Sequence, residues 1–182
     1  MDPELFDAGP LSEVEAHPSG DRWTLVFVRE LAHPPEKVWA ALTEPDRVGE
    51  WAPYTADRNL ASTGAATLTM IDGDQAVELD ATVRRADAPK LLEYSWGDDL
   101  LQWELQPTDA GTRLTLRHTL EKRDMLPKVT AGWHLCLVVA ERMLDGRPID
   151  PIRGEDAKNY GWGELNDAYA AELDLPGSSP EE

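Results

Sequence analysis

The sequence predicts an α+β fold: a curved antiparallel β-sheet wrapped around a long C-terminal α-helix, with two short helices after the first strand. Three observations carry this. Runs alternating apolar and polar residues recur from Thr67 to Leu120 with short breaks between them, the pattern of an antiparallel meander. From Pro127 to Asp145 the apolar spacing changes to 3.6 residues. A sheet with one apolar face and a helix with one apolar stripe bury both surfaces by packing on each other.

In order along the chain, Arg22–Leu31 is the first strand, with Trp23, Leu25, Phe27 and Leu31 on one side. His33-Pro34-Pro35 then opens a short helix carrying Val38, Trp39 and Leu42, because proline suits a first helical turn. Thr43-Glu44-Pro45-Asp46 repeats that logic with Thr43 as the expected cap, and a second short helix ends near Trp51. Five strands follow. Thr67–Ile71 ends at the hairpin signal Asp72-Gly73. Ala76–Arg84 puts Val77, Leu79, Ala81 and Val83 on one face, and Lys90–Trp96 stops at Gly97-Asp98-Asp99. Leu100–Leu105 groups Leu101, Trp103 and Leu105; Thr112–Leu120 groups Leu114, Leu116, His118 and Leu120. The long helix carries Val129, Trp133, Cys136, Leu137, Ala140 and Leu144, with Gly146 as its stop. A last helical pattern spans Glu155–Leu173, with Trp162, Leu165, Tyr169 and Leu173 on one stripe and Gly161 and Gly163 weakening its start. The predicted order is β-α-α-β-β-β-β-β-α-α.

At 182 residues the chain suits one domain. Residues 1–21 hold six acids and no Lys or Arg, with Pro3, Gly9, Pro10, Pro18 and Gly20, and read as an acidic flexible arm. Residues 22–175 form the domain, and 176–182 read as a disordered tail. The net charge is -18, which argues against nucleic acid or an anionic membrane surface as partner. The longest uncharged stretches, Asn59–Ile71 and Val129–Ala140, have 13 and 12 residues, short of the roughly 18 that suggest a spanning helix. One cysteine, Cys136, and no secretory signal point to a reducing, cytoplasmic setting. A homodimer is left open.

The stretch Val28 to Asp46, with His33-Pro34-Pro35-Glu36-Lys37-Val38-Trp39 at its centre and Trp51 after it, resembles the opening of the SRPBCC superfamily. That superfamily has the helix-grip fold of START lipid-transfer domains and birch-pollen-allergen relatives. Gly64, Asp72-Gly73, Val83…Asp87-Ala88-Pro89…Leu92…Trp96, Gly111-Thr112-Arg113-Leu114 and Gly132-Trp133 follow in an order similar to the branch named after an activator of a heat-shock chaperone ATPase. The match covers about residues 22–147. Two departures, Thr63-Gly64-Ala65-Ala66 in place of paired glycines and Ala81 in place of a glycine, put bulk near the strands.

What the resemblance implies is a cavity between sheet and long helix holding an apolar ligand. The expected liners are Phe27, Trp51, Met70, Tyr94, Trp96, Trp103, His118, Trp133 and Leu137. Seven tryptophans against two phenylalanines suit a pocket for an amphipathic molecule, since indoles bring apolar area and one donor, and the resemblance implies an aromatic or polyketide-like one. The main reading is therefore a small hydrophobic-ligand-binding protein rather than an enzyme. A cyclase, dehydratase or hydrolase would need an acid–base set such as His118 with Tyr94. A chaperone-ATPase regulator is the third reading; the 21-residue arm is too short to be the separate N-terminal domain of the co-chaperone that named the branch. No cofactor or metal is expected. His118 and His134 fall on different elements, Gly161-Trp162-Gly163-Glu164 lacks a dinucleotide fingerprint, and Asp72-Gly73-Asp74 is a turn.

Overall fold

The computed structural model describes residues 2–175. The tail expected over 176–182 lies outside them. A 3-10 turn at Pro3–Leu5 is followed by β1 (Glu13–Ser19), β2 (Arg22–Leu31), α1 (Pro35–Thr43), α2 (Pro45–Trp51), β3 (Tyr54–Ala56), β4 (Gly64–Asp72), β5 (Gln75–Asp87), β6 (Leu91–Trp96), β7 (Asp99–Thr108), β8 (Gly111–Leu120), α3 (Leu126–Leu144), a 3-10 segment Gly154–Tyr160 and α4 (Trp162–Glu172). The strands make one sheet in the order β1-β2-β8-β7-β6-β5-β4-β3, every neighbouring pair antiparallel. This is the helix-grip α+β fold that the alternation predicts.

The alternating faces fall where the period puts them. Leu25, Phe27 and Leu31 of β2, Leu101, Trp103 and Leu105 of β7, and Leu114, Leu116, His118 and Leu120 of β8 are all buried. On β5 the face is only half realised. Ala81 and Val83 are buried, but Val77 is 56% exposed, because the β4–β5 turn end runs beyond the cover of the helices. Ala66 and Ala81 are cross-strand partners, and both are buried.

α1 and α2 each begin on a proline in the first turn, with an acid beside it. The expected Thr43 cap is not made. Thr43 Oγ1 donates back to the Trp39 carbonyl at 2.8 Å, so Thr43 closes α1, and the N-cap of α2 is Glu44 without a side-chain bond. α3 buries most of its 19 residues and ends at Gly146, whose φ of +80° suits glycine. The final helical pattern is split: Gly161, at φ +87°, separates the 3-10 segment from α4.

The acidic segment expected as a flexible arm holds an edge strand instead. Glu13–Ser19 form an edge strand paired with β2, with Val14 and Ala16 half-buried and Glu13, Glu15 and His17 outward. Acids on that outer row suit an edge strand, since charge discourages pairing with another chain. Phe6 packs edge-on against Tyr160 at 5.2 Å. The Ala8 carbonyl and the Ser12 amide are held by His134 and Tyr169, described below. β3, three residues long, was also not anticipated. No helix among the described residues is long and apolar enough to cross a membrane.

Candidate functional site

The buried face of the sheet and the underside of α3 meet in a continuous aromatic cluster. Trp51 on α2 stands edge-on to Trp103 on β7 at 5.9 Å, and Trp103 stands edge-on to Trp133 on α3 at 5.3 Å. Trp133 lies 5.7 Å from Trp96 and 6.0 Å from His118; Tyr54 closes the cluster against Trp96 at 5.2 Å. Edge-on pairs of this spacing add about 0.5–1.5 kcal/mol each beyond the area they bury.

Most polar atoms of this cluster are spoken for. Trp51 Nε1 donates to the Ala41 carbonyl at 2.8 Å. Trp103 Nε1 donates to Tyr94 Oη at 3.2 Å, and Tyr94 Oη is hydrogen-bonded to Tyr54 Oη. Burial pushes the Tyr94 phenol up to about 12 and the Tyr54 phenol well above its ordinary value, so both stay protonated. Trp133 Nε1 donates to His118 Nδ1 at 2.9 Å. An indole N–H can only donate, so Nδ1 accepts and the imidazole hydrogen sits on Nε2, which donates to Asp99 Oδ2 at 2.7 Å. His118 is thus bonded through both nitrogens and fully buried. One donor is left over. Trp96 Nε1 is buried and has no partner among the described residues. An unmet buried N–H costs about 1–3 kcal/mol, so this is where a ligand acceptor would be rewarded.

That indole forms part of the wall of an apolar cavity of about 160 Å³. The cavity lies beside α3, toward the chain that follows it. Trp133, Leu135, Cys136 and Ile152 make its buried inner wall. Half-buried Pro53, Val129, Ala157 and Trp162 surround its mouth. Gly132 is also on the wall, and a Cβ built on it would meet nothing within 4 Å. The missing side chain is one reason there is room.

Of the nine residues expected to line a cavity, Trp96 and Trp133 do so. Trp51, Tyr94, Trp103 and His118 pack inside the aromatic cluster and fill the space between sheet and helix. Phe27 packs separately, 6.2 Å from Tyr169; Leu137 is buried on α3; Met70, on β4 opposite Tyr54, is half-buried. The expected pocket on the concave face is therefore occupied by side chains, and the open space sits at its margin. Bulky indoles on facing elements close the centre. The other wall residues are Val129, Gly132, Leu135 and Cys136 of α3, Pro53 in the turn after α2, and the stretch from Ile152 to Trp162. Val129, Cys136 and Trp162 sit on the apolar stripes of predicted helices, whereas Pro53, Arg153, Gly154 and Ala157 belong to turn, irregular or 3-10 segments with no such signal.

Two wall residues bring chemistry. The Cys136 thiol is pushed up to about 12 by burial, and the Arg153 guanidinium acts weakly against that shift, so the thiol is unreactive. Arg153 is half-buried, and burial lowers its own proton affinity. Its Nε donates to the Ala52 carbonyl at 2.9 Å and its Nη2 to the Gly49 carbonyl at 2.7 Å, at the C-terminal end of α2. His134 serves elsewhere. Its Nε2 donates to the Ala8 carbonyl at 2.7 Å, and its Nδ1 accepts from Tyr169 Oη at 2.6 Å. Tyr169 Oη in turn accepts the Ser12 amide at 2.8 Å. Burial lowers the pKa of His134. The closest acid–base pair, His118–Asp99, does not line the cavity. Among the described residues no cluster of three or more His, Cys, Asp or Glu is placed to hold a metal ion.

A fold of this kind, with its helix gripped by the sheet, defines the SRPBCC class. The model of the family described as "Activator of Hsp90 ATPase homolog 1-like protein" matches residues 32–142, more than half of the chain, and the chain belongs to that family. No curated protein matches it in sequence. Among solved structures it is similar to CalU16 from Micromonospora echinospora, with 20% identity over 88% of this chain and 95% of that one and a TM-score of 0.65. It is also similar to MLL2253 from Mesorhizobium loti, with 27% identity over 69% of this chain and 99% of that one and a TM-score of 0.59. An AHSA1-like protein from Aeromonas hydrophila aligns at 19% identity over 68% of this chain and 92% of that one, TM-score 0.57.

Proposed function

We propose that this protein binds a small, largely apolar molecule in the cavity beside α3, with an acceptor atom of the ligand on Trp96 Nε1. The observation that carries the reading is an apolar space lined by Trp96, a residue whose indole N–H is buried and unpartnered among the described residues. Native interiors satisfy nearly all such donors, so an unmet one in a residue that lines a cavity points to a missing acceptor. The size narrows the ligand. An apolar cavity of about 150 Å³ accepts a benzene ring, so the 160 Å³ here suits one ring with a short substituent. Membership of a family with this fold supports a sheltered-ligand role. The absence of an acid–base pair on the cavity wall favours binding over turnover.

The test is titration of one-ring aromatic alcohols and acids, followed by tryptophan fluorescence and native mass spectrometry. Trp96, Trp133 and Trp162 all line the site, so occupancy is expected to quench emission saturably. Gly132→Leu is the control, because it fills the cavity from a helix position with free space around it. Binding in the wild type and loss in a well-folded Gly132→Leu is the expected result. No adduct and no quenching in the wild type would overturn the reading.

A further inference from the structure

We infer that the cavity selects an anion, and that its ligand is a one-ring aromatic monocarboxylate whose carboxylate sits between Arg153 and Trp96 Nε1. This rests on the ligand-binding reading above. Arg153 is on the wall of an otherwise apolar cavity. The cation has no described carboxylate within ion-pair distance, in a chain that has 35 acidic residues against 17 basic. The cavity wall around it is made of Pro53, Ile152, Gly154 and aromatic rings, and Asp72, which accepts a hydrogen bond from the Glu155 amide nearby, makes no ion pair with it.

Its orientation is fixed. Nε and Nη2 are tied to the last carbonyls of α2, while Nη1 makes no hydrogen bond with the described residues. Those carbonyls carry the negative end of the helix dipole, roughly half a unit charge, so they compensate the guanidinium only in part. Arg153 and Trp96, the residue with the unmet N–H, line the same space. A carboxylate has two oxygens and about four acceptor sites, enough for both donors. A neutral alcohol or amide adds no negative charge and leaves the guanidinium only partly compensated by the α2 carbonyls. Partial burial weakens the proton affinity of Arg153, the expected effect on a cation partly removed from water. The apolar inner wall, Trp133, Leu135 and Cys136, is left for the ring.

The experiment compares benzoate with benzyl alcohol, its near-isosteric neutral counterpart, by isothermal titration on the full chain. Variants are Arg153→Gln, Arg153→Lys and Trp96→Phe, each checked for fold by circular dichroism. Benzoate is expected to bind about 10-fold or more tightly than benzyl alcohol in the wild type, as charge-assisted hydrogen bonds require. Arg153→Gln is expected to remove that preference, Arg153→Lys to keep part of it, and Trp96→Phe to weaken benzoate. If Arg153→Gln unfolds because the end of α2 is lost, the wild type decides by salt. Benzoate affinity falls with ionic strength and benzyl alcohol affinity does not. Equal affinities for the two probes, or a salt-insensitive benzoate, overturn the anion inference and leave the cavity reading standing. Failure of both probes to bind overturns both.

Discussion

Removing His118 from between Trp133 and Asp99 tests whether the aromatic cluster is held by hydrogen bonds as well as by area. His118→Leu keeps most of the volume but leaves Trp133 Nε1 without its acceptor, in a side chain only 3% exposed. That orphaned donor costs about 1–3 kcal/mol. The bond to Asp99 adds less, roughly 0.5–1 kcal/mol, because the Asp99 side chain is 32% exposed and recovers water. The single variant should therefore lose about 2–4 kcal/mol. Trp133→Phe orphans His118 Nδ1 instead and removes part of an indole, for about 2–3 kcal/mol. The double variant has neither orphan, so it should be more stable than the sum of losses predicts by about 1–2 kcal/mol. Urea unfolding followed by far-ultraviolet circular dichroism reads all four proteins without relying on tryptophan emission. Additivity within about 0.5 kcal/mol would falsify the claim that the bond matters and reduce His118 to a space-filling residue.

Other outcomes follow from the same kind of accounting. Asn166 on α4 is 1% exposed, and neither polar atom of its amide has a partner among the described residues. Asn166→Leu should raise stability by about 1–3 kcal/mol, seen as a higher urea midpoint at unchanged slope. The lowered pKa of His134 means that the unfolded chain takes up its proton first as acid is added. Stability is then complete above about pH 6.5 and falls as pH drops below it, by at most about 1.4 kcal/mol per pH unit from this group. Denaturation midpoints between pH 7 and 5 check this, and His134→Asn should flatten the dependence. A Cβ at Gly111 would lie 2.2 Å from the Leu31 carbonyl and 2.6 Å from the His33 nitrogen, both backbone atoms that cannot turn aside. Gly111→Ala should cost about 3 kcal/mol or more, measured by thermal unfolding.

The sheet, the long helix and the burial of β7 and β8 were legible because a period of two or of 3.6 residues is written into many residues at once. β3 was invisible because Tyr54–Ala56 is too short to show a period. β1 was hidden by its composition: an edge strand needs only one half-buried row, here Val14 and Ala16, and its acids read as a loose arm. The candidate site was legible only in kind. The sequence pointed to tryptophans and His118 around a helix, and those residues do meet. Which side chains close the interior and which leave a gap depends on packing between distant elements, Trp51 against Trp103 and Trp103 against Trp133, that no local pattern encodes. Arg153 carried no motif. Its meaning comes from the carbonyls and the apolar wall around it.

The clasp of the Ala8–Ser12 segment onto α3 and α4 also sets a timetable for the nascent chain. Ser12 and its partner Tyr169 are 157 residues apart, and β2 finds its second neighbour only when β8 exists. Ribosomes add about 5–20 residues per second, so Ser12 waits roughly 8–30 s for Tyr169 to be made. Through that interval β1 and β2 have only each other, the apolar side of β2 faces water, and the His134–Tyr169 latch has nothing to close on. The earliest residues of the chain are thus among the last to be fastened.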